Sequence, residues 1–287
     1  MENFLINKHL STMEPDLSGI RLIAADMDGT LLNDRNELSP DFYPLFHALK
    51  NRNVLFAAAS GRQFYNLENR FSPIKDEMVF IAENGSYVAY KGKEMLVQEL
   101  DKEIARAQLR AARKIEGTYS ILCGKKQAYI ESEHPEFVAN VNLYYDKVQV
   151  VDDLLQVADD QFLKIAICDL AGSEANSYQY FKKLQDELQV KISGSIWLDI
   201  SHKLANKGKA IEALQREFDL SPDETMVFGD YLNDLEMMQA ATYSFAMENA
   251  HAEIKRHSRF QAKSNNENGV TEILQRMVSS LSSAYGK

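Results

Sequence analysis

The chain has 287 residues, 45% of them hydrophobic, enough to bury a large core and to form two domains. With 32 Lys and Arg against 42 Asp and Glu, its net charge of −10 argues against a broad electrostatic grip on nucleic acid or on an anionic membrane. An anionic small molecule has to be held locally, so the expected partner is a small metabolite, with the chain itself a monomer. Cys123 and Cys168 lack metal-like spacing, no run of about 18 apolar residues occurs, and the opening segment lacks a signal-peptide pattern, so a cytoplasmic protein is expected. Residues 1–19 are polar and aperiodic and read as a loosely held extension.

Ile20 to Asp26, "IRLIAAD", is a continuous apolar run of strand length that ends in charge, as a central parallel strand does. Ser39 and Pro40 start a helix that runs to about Asn51, and Val54 to Ala59 is a second strand ending in Ser60-Gly61. A helix to about Arg70 follows, then a third strand in "EMVFIAENG" and a hairpin turning at Lys91-Gly92.

From about Asp101 the character changes. A helix over "DKEIARAQLRAARKI" precedes short strands at Tyr119 to Cys123 and Gln127 to Glu131, then a helix around Pro135 to Tyr145. A strand "FLKIAIC", a helix from Glu174 to Glu187, and the strands "VKIS" and "IWLDI" complete this segment, which suits antiparallel strands with helices. After Ser201 the βα rhythm returns in the helix "KGKAIEALQREF", the strand of "SPDETMVFGD", the helix "NDLEMMQAA" and the strand "YSFAM". The expected fold is therefore α/β, a parallel-sheet core of residues 20–99 and 203–287 with an inserted α+β segment of residues 100–202.

The chemistry sits at the strand ends, where open parallel sheets bind ligands. Asp26 and Asp28 point the same way from an extended chain, and two carboxylates so close call for a cation, an acid role, or both. With Asp230 after another strand they form an oxygen-ligand set for Mg²⁺ beside a phosphate. Ser60 and Gly61 offer a hydroxyl and an unobstructed N–H, Lys207 a cation at a helix start, and Asn233 an amide donor, with Asp234 placed to orient Lys207. Taken singly, each residue is an ordinary turn former, cap or surface group. Their recurrence at four strand ends points to a phosphate monoester held beside Mg²⁺.

These residues resemble the four motifs of the haloacid dehalogenase superfamily, in its Cof-type branch of phosphatases close to bacterial sugar phosphatases. They stand here as Asp26-Met27-Asp28-Gly29-Thr30, Ser60-Gly61-Arg62, Lys207, and Gly229-Asp230 with Asn233-Asp234. The family's turn Glu83-Asn84-Gly85 and its late loop, here Met247-Glu248-Asn249-Ala250 with Glu248 where glycine is usual, also match. The resemblance implies a Rossmann-like core, a cap inserted between the second and third motifs, Mg²⁺ dependence and dephosphorylation of small metabolites.

On this reading Asp26 attacks phosphorus to give an aspartyl phosphate, and Asp28 protonates the leaving alkoxide and later activates water. Ser60, Gly61, Lys207 and Asn233 stabilise the phosphate oxygens, and the Met27 N–H and Thr30 hydroxyl complete the loop. Sugar phosphates are the expected substrates. A phosphosugar mutase, or a phosphatase of flavin, pyridoxal or nucleotide phosphates, is the alternative, and a signalling receiver fits the insertion poorly. Lys164, Trp197 and His202 are candidates to face the substrate or merely to pack.

Overall fold

In chain order the elements are β1 Leu22–Asp26, α1 Phe42–Lys50, β2 Leu55–Ala59, α2 Phe64–Arg70, β3 Val79–Ala82, β4 Tyr87–Tyr90, β5 Lys93–Val97 and α3 Lys102–Ala112. There follow β6 Thr118–Gly124, β7 Ala128–Ile130, α4 Pro135–Tyr144, β8 Val148–Val150, β9 Phe162–Asp169, α5 Ser177–Phe181, β10 Leu188–Gly194, β11 Trp197–His202 and α6 Lys207–Glu217. The last are β12 Thr225–Gly229, α7 Leu235–Gln239, β13 Tyr243–Met247, α8 Ala252–His257, β14 Phe260–Ala262 and α9 Gly269–Ala284. This computed structural model describes residues 15–284. Most of the expected N-terminal extension of residues 1–19, residues 1–14, lies outside the described residues, and Leu17 within the rest of it is buried.

The chain divides into two units, one running to Phe56 and resuming at Leu214, the other Ala57–Ala213. In the first, β14, β13, β12 and β1 lie side by side, every pair parallel. All five residues of β1 and of β12 are buried, which is why both read as unbroken apolar runs rather than as alternating ones. Helices α1 and α9 pack against each other in this unit, and Phe42 and Phe46 of α1 stack at their edges on Phe56.

In the second unit β2 and β3 pair in parallel through Ala57–Ala59, and β3, β4 and β5 continue as antiparallel neighbours. Lys91 and Gly92 both take positive φ, 52° and 69°, the conformation that a two-residue hairpin turn needs. A second sheet of order β10-β11-β9-β6-β7-β8 is antiparallel except between β7 and β8. Phe137 and Val141 of α4 bury themselves against Ile121 and Cys123 of β6 and Ala166 and Cys168 of β9, alternate residues that share one face of the sheet. Asp101 caps α3 by accepting from the N–H groups of Glu103 and Ile104.

Two local departures from the sequence pattern have physical causes. The helix expected from Glu174 begins only at Ser177, because the Asp169 carboxylate gathers the N–H groups of Ala171 and Ser177 and the Asn176 amide into a turn. Ser39 and Pro40 form the turn before α1, which starts at Phe42. Among the described residues no helix is long and apolar enough to cross a membrane.

Candidate active site

Parallel pairing of β1 with β12, in the register Ala24↔Val227 and Ala25↔Phe228, sets their carboxyl ends side by side. Carboxylate oxygens of Asp26, Asp230 and Asp234 there lie within 4.8 Å of one another. Three facing carboxylates repel unless a cation, protons or strong donors intervene. The donor set is all oxygen, which suits a hard cation such as Mg²⁺. Asp28, expected among the ligands, has an exposed side chain and stands outside this cluster, which takes in Asp234 instead.

The loop after β1 is shaped around Asp230. Gly29 has φ +80°, and a Cβ there would stand 2.4 Å from Asp230 Oδ2, so only glycine admits that carboxylate. The Thr30 hydroxyl, expected to reach toward phosphate, donates to Asp230 Oδ1 at 3.1 Å. Met27 is fully buried, and its carbonyl accepts the N–H of Leu32 at 2.9 Å. The Asp234 carboxylate accepts from the N–H groups of Asp230 at 3.0 Å and Tyr231 at 3.2 Å, so it braces the very turn that presents Asp230. Asn233 is buried in the same short 3₁₀ turn, Leu232–Asp234.

Asn249 has a role that the sequence did not disclose. Its amide donates to the Gly29 carbonyl at 2.8 Å and its Oδ1 accepts the Asn265 N–H at 3.1 Å, while the His251 N–H reaches the Asp230 carbonyl at 2.8 Å. The late loop thereby buttresses both Gly29 and Asp230. These bonds require only side-chain and main-chain groups of Asn249 and His251, so Glu248 in place of glycine leaves them intact.

In the other unit Ser60 and Gly61 follow β2. Ser60 Oγ accepts the Arg62 N–H at 3.1 Å, which orients the hydroxyl and leaves its proton to donate. The turn Glu83-Asn84-Gly85 lies against this loop: Asn84 N–H donates to the Ser60 carbonyl at 2.9 Å, and Glu83 N–H to the Arg62 carbonyl at 3.1 Å. All three turn residues have positive φ, 51°, 55° and 92°. At Gly85 a Cβ would meet the Asn206 carbonyl oxygen at 2.4 Å and the Lys207 nitrogen at 3.1 Å. Lys207 is fully buried at the start of α6, so this one turn touches both the Ser60-Gly61 loop and the Lys207 backbone.

Of the three remaining candidates, Lys164 is buried, and its ammonium donates to the Gly61 carbonyl at 2.7 Å. Trp197 packs edge-on against Tyr144, and His202 is half-exposed with Nδ1 accepting the Leu204 N–H. Burial pushes the Glu83 carboxyl up toward its neutral form, although the nearby Lys164 opposes this. Burial alone would depress Lys164, but Asp199 and Glu83 outweigh it and hold its pKa above the ordinary lysine value. Burial likewise lifts the Cys123 thiol and the Tyr145 hydroxyl, which lie 3.5 Å apart.

Comparison with known proteins agrees with this geometry. Residues 23–274 match the model of the haloacid dehalogenase-like hydrolases. The chain is 31% identical to the 5-amino-6-(5-phospho-D-ribitylamino)uracil phosphatase YbjI of Escherichia coli K12, over 90% of this chain and 96% of that protein. It is 26% identical to the HMP-PP phosphatase of Cronobacter sakazakii over 80% of this chain and 85% of the relative. The crystal structure of SMU.1108c from Streptococcus mutans UA159 superposes with a TM-score of 0.84 at 28% identity, covering 91% of this chain and 99% of the other. The chain therefore belongs to the haloacid dehalogenase-like hydrolases, in the Cof-type phosphatase branch that its motifs resemble. It is an α/β hydrolase of phosphomonoesters.

Proposed function

We propose that the chain is a Mg²⁺-dependent phosphatase that works through an aspartyl phosphate, on small phosphomonoesters of which sugar phosphates come first. The observation that carries the metal assignment is the three-carboxylate cluster at the ends of β1 and β12, with Gly29 and Thr30 shaped to Asp230. Asp26 and Asp230 would hold Mg²⁺, which lowers the repulsion between nucleophile and phosphate dianion when bound.

Asp26 forms the new O–P bond while the P–O bond to the metabolite breaks, and the leaving oxygen keeps the electron pair. Asp28, an exposed residue, gives that oxygen a proton and then takes one from the water that cleaves the acyl phosphate. Ser60, the Gly61 N–H, Lys207 and Asn233 hold the remaining phosphate oxygens, and the Met27 N–H closes the loop around them. Thr30 acts one step back, by orienting Asp230.

The sugar preference rests on the family resemblance. The 31% identical relative is named for a ribityl phosphate joined to a pyrimidine, so a substrate of that kind is the second reading. Phosphate release should be measured with Mg²⁺ and with EDTA against hexose, pentose, flavin, pyridoxal and nucleotide phosphates and 5-amino-6-(5-phospho-D-ribitylamino)uracil, with product isomers scored. Mg²⁺-dependent release from sugar phosphates is the expected result. Turnover confined to the ribitylaminouracil phosphate selects the second reading, and isomerisation without release selects a mutase.

A further inference from the structure

A buried ion cluster joins the inserted segment to the Ser60-Gly61 loop. Lys164 on β9 and Glu83 are only 2% and 1% exposed at their side chains, and Asp199 on β11 is 4% exposed. The Lys164 ammonium donates to Gly61 O at 2.7 Å and to Asp199 Oδ2 at 3.1 Å, and it forms an ion pair with Glu83 Oε2 at 3.1 Å. Asp199 Oδ2 also accepts from the side-chain amide of Asn84, whose own N–H holds the Ser60 carbonyl. The pairing Asp199↔Ala166 and Ser201↔Lys164 between β11 and β9 fixes where the two charged side chains start.

The consequence is that three consecutive carbonyls of the loop are pinned. Ser60 O is held by the Asn84 N–H, Gly61 O by Lys164, and Arg62 O by the Glu83 N–H. Two of these bonds come from the turn itself. The middle one comes from the inserted segment, and it is the one made by a charged donor, which is roughly twice as strong as a neutral one. With the carbonyls fixed, the peptide planes from Ser60 to Arg62 are fixed too, including the one that carries the Gly61 N–H. The left-handed φ values of Glu83 and Asn84 are unfavourable alone and persist where surrounding bonds over-determine them, as this cluster does.

We infer that Lys164 is a positioning residue of the phosphate site: clamped by Asp199 and Glu83, it holds the Gly61 carbonyl so that the Ser60-Gly61 loop is preset to receive phosphate. This rests on the phosphatase reading for the role of the loop. It gives the cation buried on β9 a role, and it makes the segment that carries β9 and β11 a contributor to catalysis through the loop.

Removing Lys164 alone leaves two buried carboxylates without their cation and endangers the fold. The decisive protein is therefore the Lys164→Met/Asp199→Asn variant, in which the amide oxygen that replaces the Asp199 carboxylate still accepts from Asn84, and Glu83, which burial already pushes toward its neutral form, takes a proton once Lys164 no longer opposes this. Its thermal melt and circular dichroism should stay near wild type. Its Kd for inorganic phosphate, by calorimetry with Mg²⁺, should rise about 10-fold, and its kcat on p-nitrophenyl phosphate should fall about 10- to 100-fold. Asp199→Asn alone, which keeps the lysine, should lose markedly less. A folded double variant with wild-type phosphate Kd and kcat, or an Asp199→Asn loss as large as that of the double variant, overturns the inference. A wild type that hydrolyses no ester counts against the phosphatase reading instead, and phosphate affinity still reports on the loop.

Discussion

Gly29 stands so close to Asp230 that an added Cβ would lie 2.4 Å from the Asp230 carboxylate, at a residue whose φ of +80° already disfavours a side chain. Gly29→Ala must therefore either displace Asp230 or distort the loop. Stability should fall by about 1–3 kcal/mol, read by urea unfolding. The Mg²⁺ concentration for half-maximal activity should rise by at least about tenfold, since moving a ligand by a fraction of an ångström suffices. An unchanged Mg²⁺ titration in the folded variant removes Asp230 from the metal site.

Gly85 makes a comparable contact in the other unit, with a Cβ at 2.4 Å from the Asn206 carbonyl oxygen and φ +92°. Gly85→Ala should cost about 2–3 kcal/mol and lower kcat, because the turn spans both the Ser60-Gly61 loop and the start of α6. Chemical denaturation and steady-state kinetics read the two effects separately. Wild-type values for both would show that the turn yields without consequence.

Alkaline stability follows from groups that burial keeps protonated. Burial raises the Cys123 thiol well above 9.0 and the Tyr145 hydroxyl well above 10.0, and pushes Cys168 up to about 12. In the unfolded chain they lose their protons near 9 to 10, whereas the folded chain keeps them. The unfolded state then binds fewer protons, so stability is intact below about pH 9 and falls as pH rises above it, by about 1.4 kcal/mol per pH unit for each such group. Urea unfolding between pH 7 and pH 10.5 should show this slope, and Cys123→Ala should flatten it by about one group. A flat profile in the wild type contradicts the burial of these groups.

Much of this was legible in the sequence wherever one local rule decides the outcome. The apolar runs of β1 and β12, the Lys91-Gly92 hairpin, and the positions of Asp26, Ser60, Lys207 and Asp230 at element ends all follow from composition and turn chemistry. Hidden from it were relations between distant residues. The bond from Asn249 to Gly29 and the Lys164–Asp199–Glu83 cluster join segments that no pattern links. Thr30 and Asp234 illustrate the limit well. Both residue types suit phosphate or lysine contacts, and the sequence carried no sign that both also brace Asp230 and its turn. Strand β8 is three residues long, two of them exposed, too short for its alternation to register.

The covalent role proposed for Asp26 has the sharpest test. Turnover of p-nitrophenyl phosphate, or of the best substrate from the ester panel, should be quenched in acid, reduced with borohydride and digested for mass spectrometry. An acyl phosphate on Asp26 would be reduced to homoserine at position 26 alone, and Asp26→Asn should lose both the mark and turnover, since a neutral amide is a poor nucleophile. Homoserine at position 28, or near-wild-type turnover by Asp26→Asn, would contradict the mechanism and leave direct attack by water in its place.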